Sequence, residues 1–246
     1  MPSLAARSGI DADHTAVAAP GQLTPGQPPG VLKVNHSAEA EAIASPTSTR
    51  PRPPSAMHSS ARDRILNTAG DLFARHGFNA VGIDRIIAEV NTTKTTFYNH
   101  FESKDHLIIE VLKIRNTQEL DELATDIRRR AGAGNPRGQL LAIFDAFDEW
   151  FRETDFRGCM FMNAATEFPD DSDPIHQTAI SHGAHLADLI LKLAQQAGAA
   201  DAPALAAQFS ILLTGSLVQR HVAKNIDSAR TAKAAATGLL NLHLGG

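Results

Sequence analysis

One cysteine, one tryptophan and one tyrosine stand among 246 residues. The lone thiol, Cys159, excludes an internal disulfide and suits a reducing compartment. No uninterrupted run of about 18 apolar residues occurs, so no membrane span is expected. The N-terminus has neither the basic start nor the apolar stretch of a secretory signal; Pro2, Pro20 and scattered Asp residues stand there instead. A cytoplasmic protein is expected. No Gly-rich phosphate loop, nucleophile elbow or metal-hydrolase motif is present. The chain therefore reads as a non-enzyme with no cofactor and no metal. Charge of one sign is lacking too, with 23 Lys and Arg against 27 Asp and Glu, a net of −4. Bulk charge gives no reason to expect a nucleic-acid partner.

Residues 1–56 hold no Phe, Trp or Tyr and carry nine of the thirteen prolines. Such a segment cannot bury enough apolar surface to offset its ordering entropy, and it reads as a disordered extension. Two origins stand open: a real flexible tail, or translation that begins natively at Met57.

From Ser60 the pattern turns helical. Ser60 and Asp63 make an S-x-x-D capping signature, followed by Ile65, Leu66, Ala69, Leu72 and Phe73 at helical spacing and Gly77 at a C-cap position. A second helix carries Ile83, Ile86, Ile87 and Val90 on one face. Asn91, which tolerates the left-handed conformation, marks a turn. Thr93 caps a third helix over about Lys94–His100, and Ser103 caps a long fourth. After the turn signal AGAGNPRG, five more helices follow to about His243, and no strand alternation appears. The expected fold is all-α: a three-helix DNA-binding unit over 57–112 followed by a larger helical domain over 113–246.

Two short helices joined by a tight turn form a helix-turn-helix, whose second helix enters the major groove while the first crosses the backbone. Phe97 and Phe101, four apart, should face the core. That leaves Thr92, Thr93, Lys94, Thr95, Thr96, Tyr98, Asn99 and His100 for the exposed faces. Thr, Asn and His can read base edges; Lys and Tyr suit phosphates. Lys104, in the first turn of the fourth helix, can add a phosphate contact. Over residues 57–114 seven basic and seven acidic residues cancel, so binding must rest on the placement of these few side chains. The competing reading is a plain helical core segment with Tyr98 and His100 as packing residues.

The segments RILNTAGDLFARHGF, IDRIIAEV and TTKTTFYNHFESKDHL, with their T-F-Y-x-H-F-x-S-K-D-x-L string, resemble the DNA-binding domain of the TetR family of bacterial transcription regulators over residues 62–112. The resemblance implies a homodimer on a near-palindromic double-stranded operator, repression, and release by a small-molecule effector. It also implies that Lys94, Thr95, Thr96, Tyr98, Asn99 and His100 face DNA and that Lys104 reaches a phosphate. The chain departs from the family at Gly82, where Thr or Ser usually starts the second helix, and at Asn91-Thr92, where Gly-Val is usual. Thr95 stands where a small residue is often found.

The last two helices are rich in apolar and small residues: Leu205, Phe209, Leu212, Leu213 and Leu217, then Ala229, Ala232, Ala236, Leu239 and Leu240. These stripes fit a four-helix dimer interface, or burial within one subunit. For the effector pocket the candidates are Phe144, Phe147, Trp150, Phe151, Met160 and Met162 as apolar lining, with Asn163, Glu167, His182 and His185 as polar groups. Each of these is equally a candidate for ordinary core or surface. Cys159 precedes a helix and has Arg157 nearby, a setting that can lower a thiol pKa; a redox or electrophile sensor is the alternative function, and a small buried hydrophobe the plainer reading. His182 and His185 share a helix face while His176 falls near the opposite side, so no metal site is expected.

Overall fold

A computed structural model describes residues 60–245. The N-terminal extension over residues 1–56, and Met57 with it, lies outside the described residues. Nine α-helices and no strand are found among the described residues: α1 (Ala61–His76), α2 (Ile83–Val90), α3 (Lys94–His100), α4 (Lys104–Ala131), α5 (Pro136–Phe151), α6 (Met160–Glu167), α7 (Pro174–Gln196), α8 (Ala202–Val222) and α9 (Ser228–Leu244).

The helix ends follow local chemistry. The Ser60 hydroxyl accepts the Asp63 amide at 3.1 Å, and the Asp63 carboxylate accepts the Ser60 amide at 3.2 Å. Gly77 ends α1 at φ +81°, a conformation other residues adopt only with strain. Asn91 takes the left-handed region at φ 54°, where its own amide and that of Thr92 close onto the Ala88 and Ile87 carbonyls. The Thr93 hydroxyl accepts the Thr96 amide at 3.1 Å, and the Ser103 hydroxyl accepts that of His106 at 3.0 Å. Asn135, Asp173 and Asp201 cap α5, α7 and α8, each with a proline in the first turn. Asp227 precedes α9 but caps nothing; its carboxylate instead meets Arg152 at 2.6 Å.

Two main cores result. The first joins Ile65, Phe73, Phe78, Phe97, Phe101 and Leu107 to Phe161 of α6 and Ile175 of α7. Thus α6 and α7 enter the same core as the first three helices. Arg62 adds a lock between α1 and α4: its guanidinium pairs with Glu110 at 2.7 Å and lies over the Phe101 ring at 5.5 Å. The second core gathers Phe144, Ile190, Leu205, Phe209, Ala236 and Leu240 from α5, α7, α8 and α9.

The stripes considered for a dimer interface are turned inward. Leu205, Phe209, Leu213, Leu217, Ala229, Ala232, Ala236 and Leu240 are buried within the subunit, and Leu212 and Leu239 are half-buried. Because α8 is apolar on nearly all sides, periodicity could not tell its inner face from its outer one. The opposite face is the open one, with Ile211 72%, Val222 72% and Leu242 of α9 76% exposed. By length and apolarity α8 would also pass for a membrane span, although no continuous apolar run exists; here its inner face packs on α7 and α9.

Candidate functional site

Helix α3 has seven residues, too few to hold itself in a helix, and two phenylalanines hold it instead. Phe97 and Phe101 are fully buried. With those two turned inward, Lys94, Thr95, Tyr98, Asn99 and His100 are exposed on one side of the molecule. Tyr98 keeps 53% of its surface open and rests edge-on against Phe97. Two of the expected threonines are otherwise engaged. The Thr93 and Thr96 hydroxyls bond to each other at 2.9 Å while Thr93 caps the helix, and Thr92 and Thr96 are half-buried. Lys94 reaches back to Asp84 of α2, with Nζ 2.8 Å from the carboxylate, and both side chains are open to solvent. Asp84 holds the Lys94 pKa above its usual value. Lys104 is half-buried in the first turn of α4. At the start of α2, Gly82 offers no side-chain cap, and a β-carbon there would meet nothing within 4 Å.

A cavity of about 1140 Å³ lies between the end of α1 and helices α4 to α8. Phe147, Trp150, Met160, Met162 and His182 line it. Five other candidates stand away from it, Glu167 among them. Phe144 and Phe151, seven apart on α5, share that helix's inner face: Phe144 packs on Phe209 with ring centroids 5.4 Å apart, and Phe151 is fully buried behind Trp150. Asn163 is outside the lining. His185 borders a separate shallow recess of about 410 Å³ with Asn116 and Lys192.

His182 is held as a neutral ring. Its face stacks on Phe161 at 3.8 Å and 3°. Its Nδ1 lies 3.0 Å from the Asn116 side-chain oxygen, and the Asn116 nitrogen lies 3.1 Å from His185 Nδ1. Burial, with a smaller push from His185, lowers its pKa to about 4. His176 points elsewhere, 2.8 Å from the Phe168 carbonyl. No cluster of three or more metal-ligating side chains exists among the described residues.

Cys159 also lines the cavity, but its chemistry is the reverse of a reactive thiol. Burial pushes it up to about 11, and only weaker pulls from the Met162 and Phe161 amides oppose this. Glu119 pushes the same way, and Arg157 is exposed. A thiol so placed stays protonated at neutral pH and attacks slowly. The setting is not the cationic, thiolate-favouring one that the sensor alternative needs.

Glu167, considered as a pocket group, faces the other way. At the end of α6 its carboxylate accepts the backbone amides of Phe78 at 3.0 Å and Asn79 at 2.7 Å, in the loop between α1 and α2. A β-carbon on Gly77 would sit 2.8 Å from the same carboxylate. The helix whose start lines the cavity thus ends by gripping the loop that leads into the helix-turn-helix.

Residues 65–111 match the family model described as bacterial regulatory proteins, tetR family, and residues 136–236 match the tetracyclin repressor-like C-terminal domain. A solved TetR-family transcriptional regulator from Streptomyces coelicolor is 30% identical with a TM-score of 0.67, over 75% of this chain and 96% of that one. The chain belongs to the TetR family. Among curated TetR-type relatives, the HTH-type transcriptional repressor NemR of Escherichia coli is 24% identical over 138 residues, 56% of this chain and 68% of that protein. The HTH-type transcriptional activator FasR of Mycolicibacterium smegmatis is 32% identical over 99 residues, 39% of this chain and 42% of that protein.

A TetR-family regulator carries a DNA-binding domain, and α3 falls within the residues that match it. Several residues that shape the sites gave no signal in the sequence. Asp84 looks like any acidic residue in a first helical turn, yet it holds Lys94. Arg115, Glu119 and Asp126 of α4 face the cavity, although their polarity suggests solvent. Phe156 lines it from the loop before α6, where no periodicity operates.

Proposed function

We propose that this regulator is a cytoplasmic homodimeric repressor that grips a near-palindromic double-stranded operator and releases it when a small molecule fills the 1140 Å³ cavity. Within it, residues 57–112 are the reading domain and residues 113–246 the sensing and pairing domain. Thr95, Asn99 and His100 meet the major groove, and Lys94, Tyr98 and Lys104 meet phosphates. Thr92, Thr93 and Thr96 act mainly by holding the start of α3. Pairing uses the outer face of α8 and α9, where Ile211, Val218, Val222 and Leu242 are exposed. Gly215 and Gly238 on the same helices have open space above them and permit close helix approach. Two-fold pairing sets the two α3 helices one DNA turn apart, about 34 Å.

The observation that carries release is the double engagement of α4 and α6. Helix α4 begins at Lys104 by the DNA-facing end and lines the cavity at Glu119 and Leu123. Helix α6 lines it at Met160 and Met162 and holds the α1–α2 loop through Glu167. A ligand that displaces either helix shifts α3 relative to its partner copy and lowers operator affinity.

The test is a mobility-shift titration of the full chain on the intergenic DNA beside its own gene. Binding is expected at low salt and should weaken steeply as salt rises. Absence of binding to any neighbouring intergenic segment at low salt refutes the reading.

A further inference from the structure

A small third core stands apart from the two main ones. Phe151 of α5, Leu217 of α8 and Ala229 of α9 are its buried members, and Trp150, Phe156 and Met162 pack against them. Trp150, Phe156, Met162 and Leu217 also line the cavity. The cavity wall and the junction of α8 with α9 are thus one packed unit.

The loop between α5 and α6 closes this unit from outside. Over residues 152–157 only Phe156 turns inward, and the others are exposed. Two ties carry the loop to the end of α8. Arg220 donates from Nε to the Phe151 carbonyl at 2.7 Å and lays its guanidinium over the Phe156 ring at 4.3 Å. Arg152 pairs with Asp227, just past α8, at 2.6 Å. Gly158 brings the loop close to the next residue of α8. A β-carbon there would sit 2.5 Å from the His221 ring, and its φ of +87° is one that glycine adopts freely.

The same turn of α8 has a second face. Val218 and Val222, four apart, are exposed on the pairing surface proposed above. Arg220, midway between them in sequence, points to the Phe156 side. This helix end has little support of its own. Lys224, two residues past it, takes φ 57°, a left-handed conformation that side chains resist. Helix ends that few contacts hold open locally. A partner subunit over Val218 and Val222 supplies the missing support from outside.

We propose that the last turn of α8 couples the cavity to subunit pairing, with Arg220 as the positioning residue between them. Pairing steadies the turn, the turn holds Arg220, and Arg220 holds Phe156 as the outer door of the cavity. The proposal rests on pairing through α8 and α9, and it needs neither the operator nor the effector to be known. The coupling is reciprocal: whatever opens the Phe156 wall weakens pairing by the same factor that loss of the partner opens the wall. A guest that displaces Phe156 is therefore felt by the partner copy, in addition to its route through α4 and α6 within one subunit.

The test reads the wall in the ligand-free full chain. Trp150, the sole tryptophan, meets Phe156 edge-on with ring centroids 5.0 Å apart, so acrylamide quenching of its fluorescence reports how open the wall is. I211E, on the outer face of α8, supplies the monomer; sedimentation confirms its state and circular dichroism its helix content. Quenching is expected to be severalfold stronger in this monomer than in the parent dimer. R220M keeps the apolar stem but loses the planar fork, and should raise quenching in the dimer to the monomer's level. The double variant should show no further rise, and R220M alone should raise the dimer dissociation constant about fivefold or more. A residue that only stabilised the subunit would instead give additive effects. Equal quenching in the parent dimer and a folded monomer, additive effects of the two substitutions, or an unchanged dissociation constant in R220M overturns the proposal while leaving pairing through α8 and α9 in place. An I211E chain that still sediments as a dimer refutes that pairing face and the proposal with it. If I211E unfolds, dilution of the parent through its own dissociation makes the same comparison, which does not depend on how well R220M folds.

Discussion

The carboxylate of Glu167 accepts the backbone amide of Asn79 at 2.7 Å across 88 residues of sequence. It fastens the end of α6 to the loop that feeds the helix-turn-helix. Bonds from backbone amides to a carboxylate are charge-assisted, and their loss from a partly shielded site costs about 1–3 kcal/mol. Glu167→Ala should lower stability by about that amount in denaturant unfolding. It should also blunt the loss of operator affinity on effector binding. Unchanged coupling with reduced stability would show that the contact is structural only.

Phe97 and Asn99 separate packing from reading. Phe97 is fully buried, so Phe97→Ala should cost about 3–5 kcal/mol and abolish binding through unfolding of the reading domain. Asn99 is exposed. Asn99→Ala should leave the melting temperature within error yet reduce discrimination between operator and random DNA, as measured by competition binding. A drop in thermal stability comparable to that of Phe97→Ala would place Asn99 in the packing instead.

The Lys94–Asp84 pair would compete with the phosphate contact proposed for Lys94. Both groups are solvent-exposed, so the pair itself adds little to folding. Asp84→Asn frees Lys94 and removes a negative charge from the DNA-facing side. Affinity for any DNA should rise severalfold, with little change in sequence preference. A weaker complex would mean that Asp84 orients Lys94 for its contact.

His182 and Glu119 give opposite pH dependences. His182 has a folded pKa of about 4, below its ordinary 6.5, so the unfolded chain binds more protons in that window. Its contribution is intact above 6.5 and is lost as pH falls toward 4. Glu119 has a folded pKa of about 7 against an ordinary 4.5 while its side chain stays open to solvent, so its contribution, reduced by screening, is intact below 4.5 and is lost as pH rises through 7. E119Q should therefore melt above the parent at about pH 8 and gain less, or nothing, near pH 4.5. Thermal scans at the two pH values decide this; an equal offset at both would deny that Glu119 titrates near neutrality.

Ile211 stands 72% exposed on the outer face of α8. Ile211→Glu should convert the dimer to monomers in sedimentation experiments and lower operator affinity by at least tenfold, without unfolding the subunit. A persistent dimer would move the interface elsewhere.

Most of the fold was legible because helix ends are written in short-range chemistry. Ser60 with Asp63, Asn91, Thr93, Ser103 and Asp201 with Pro203 marked starts and stops from within four residues. Phe97 and Phe101 were legible for the same reason: spacing alone turned both inward. What periodicity could not resolve were choices made by distant partners. On α8 nearly every face is apolar, so only the packing of α7 and α9 decides which one closes the core. On α5 the same stretch supplies cavity wall at Phe147 and Trp150 and core at Phe144 and Phe151. Glu119 and Glu167 have ordinary helical surroundings in sequence, and their roles arise from α6 and the α1–α2 loop folding beside them. Cys159 showed its helix start and nearby arginine in the sequence, but not the burial that outweighs both.

The division of labour on α3 bears on how such a protein changes its targets. The turns and rings that keep the helix in place, Asn91, Thr93, Phe97 and Phe101, are distinct from the outward-facing Thr95, Asn99 and His100. Substitutions at the latter three leave the scaffold's stability almost untouched, so many are open to drift. On the proposed reading, a gene duplicate acquires a new operator within a few mutational steps while its cavity continues to answer the ancestral chemical signal.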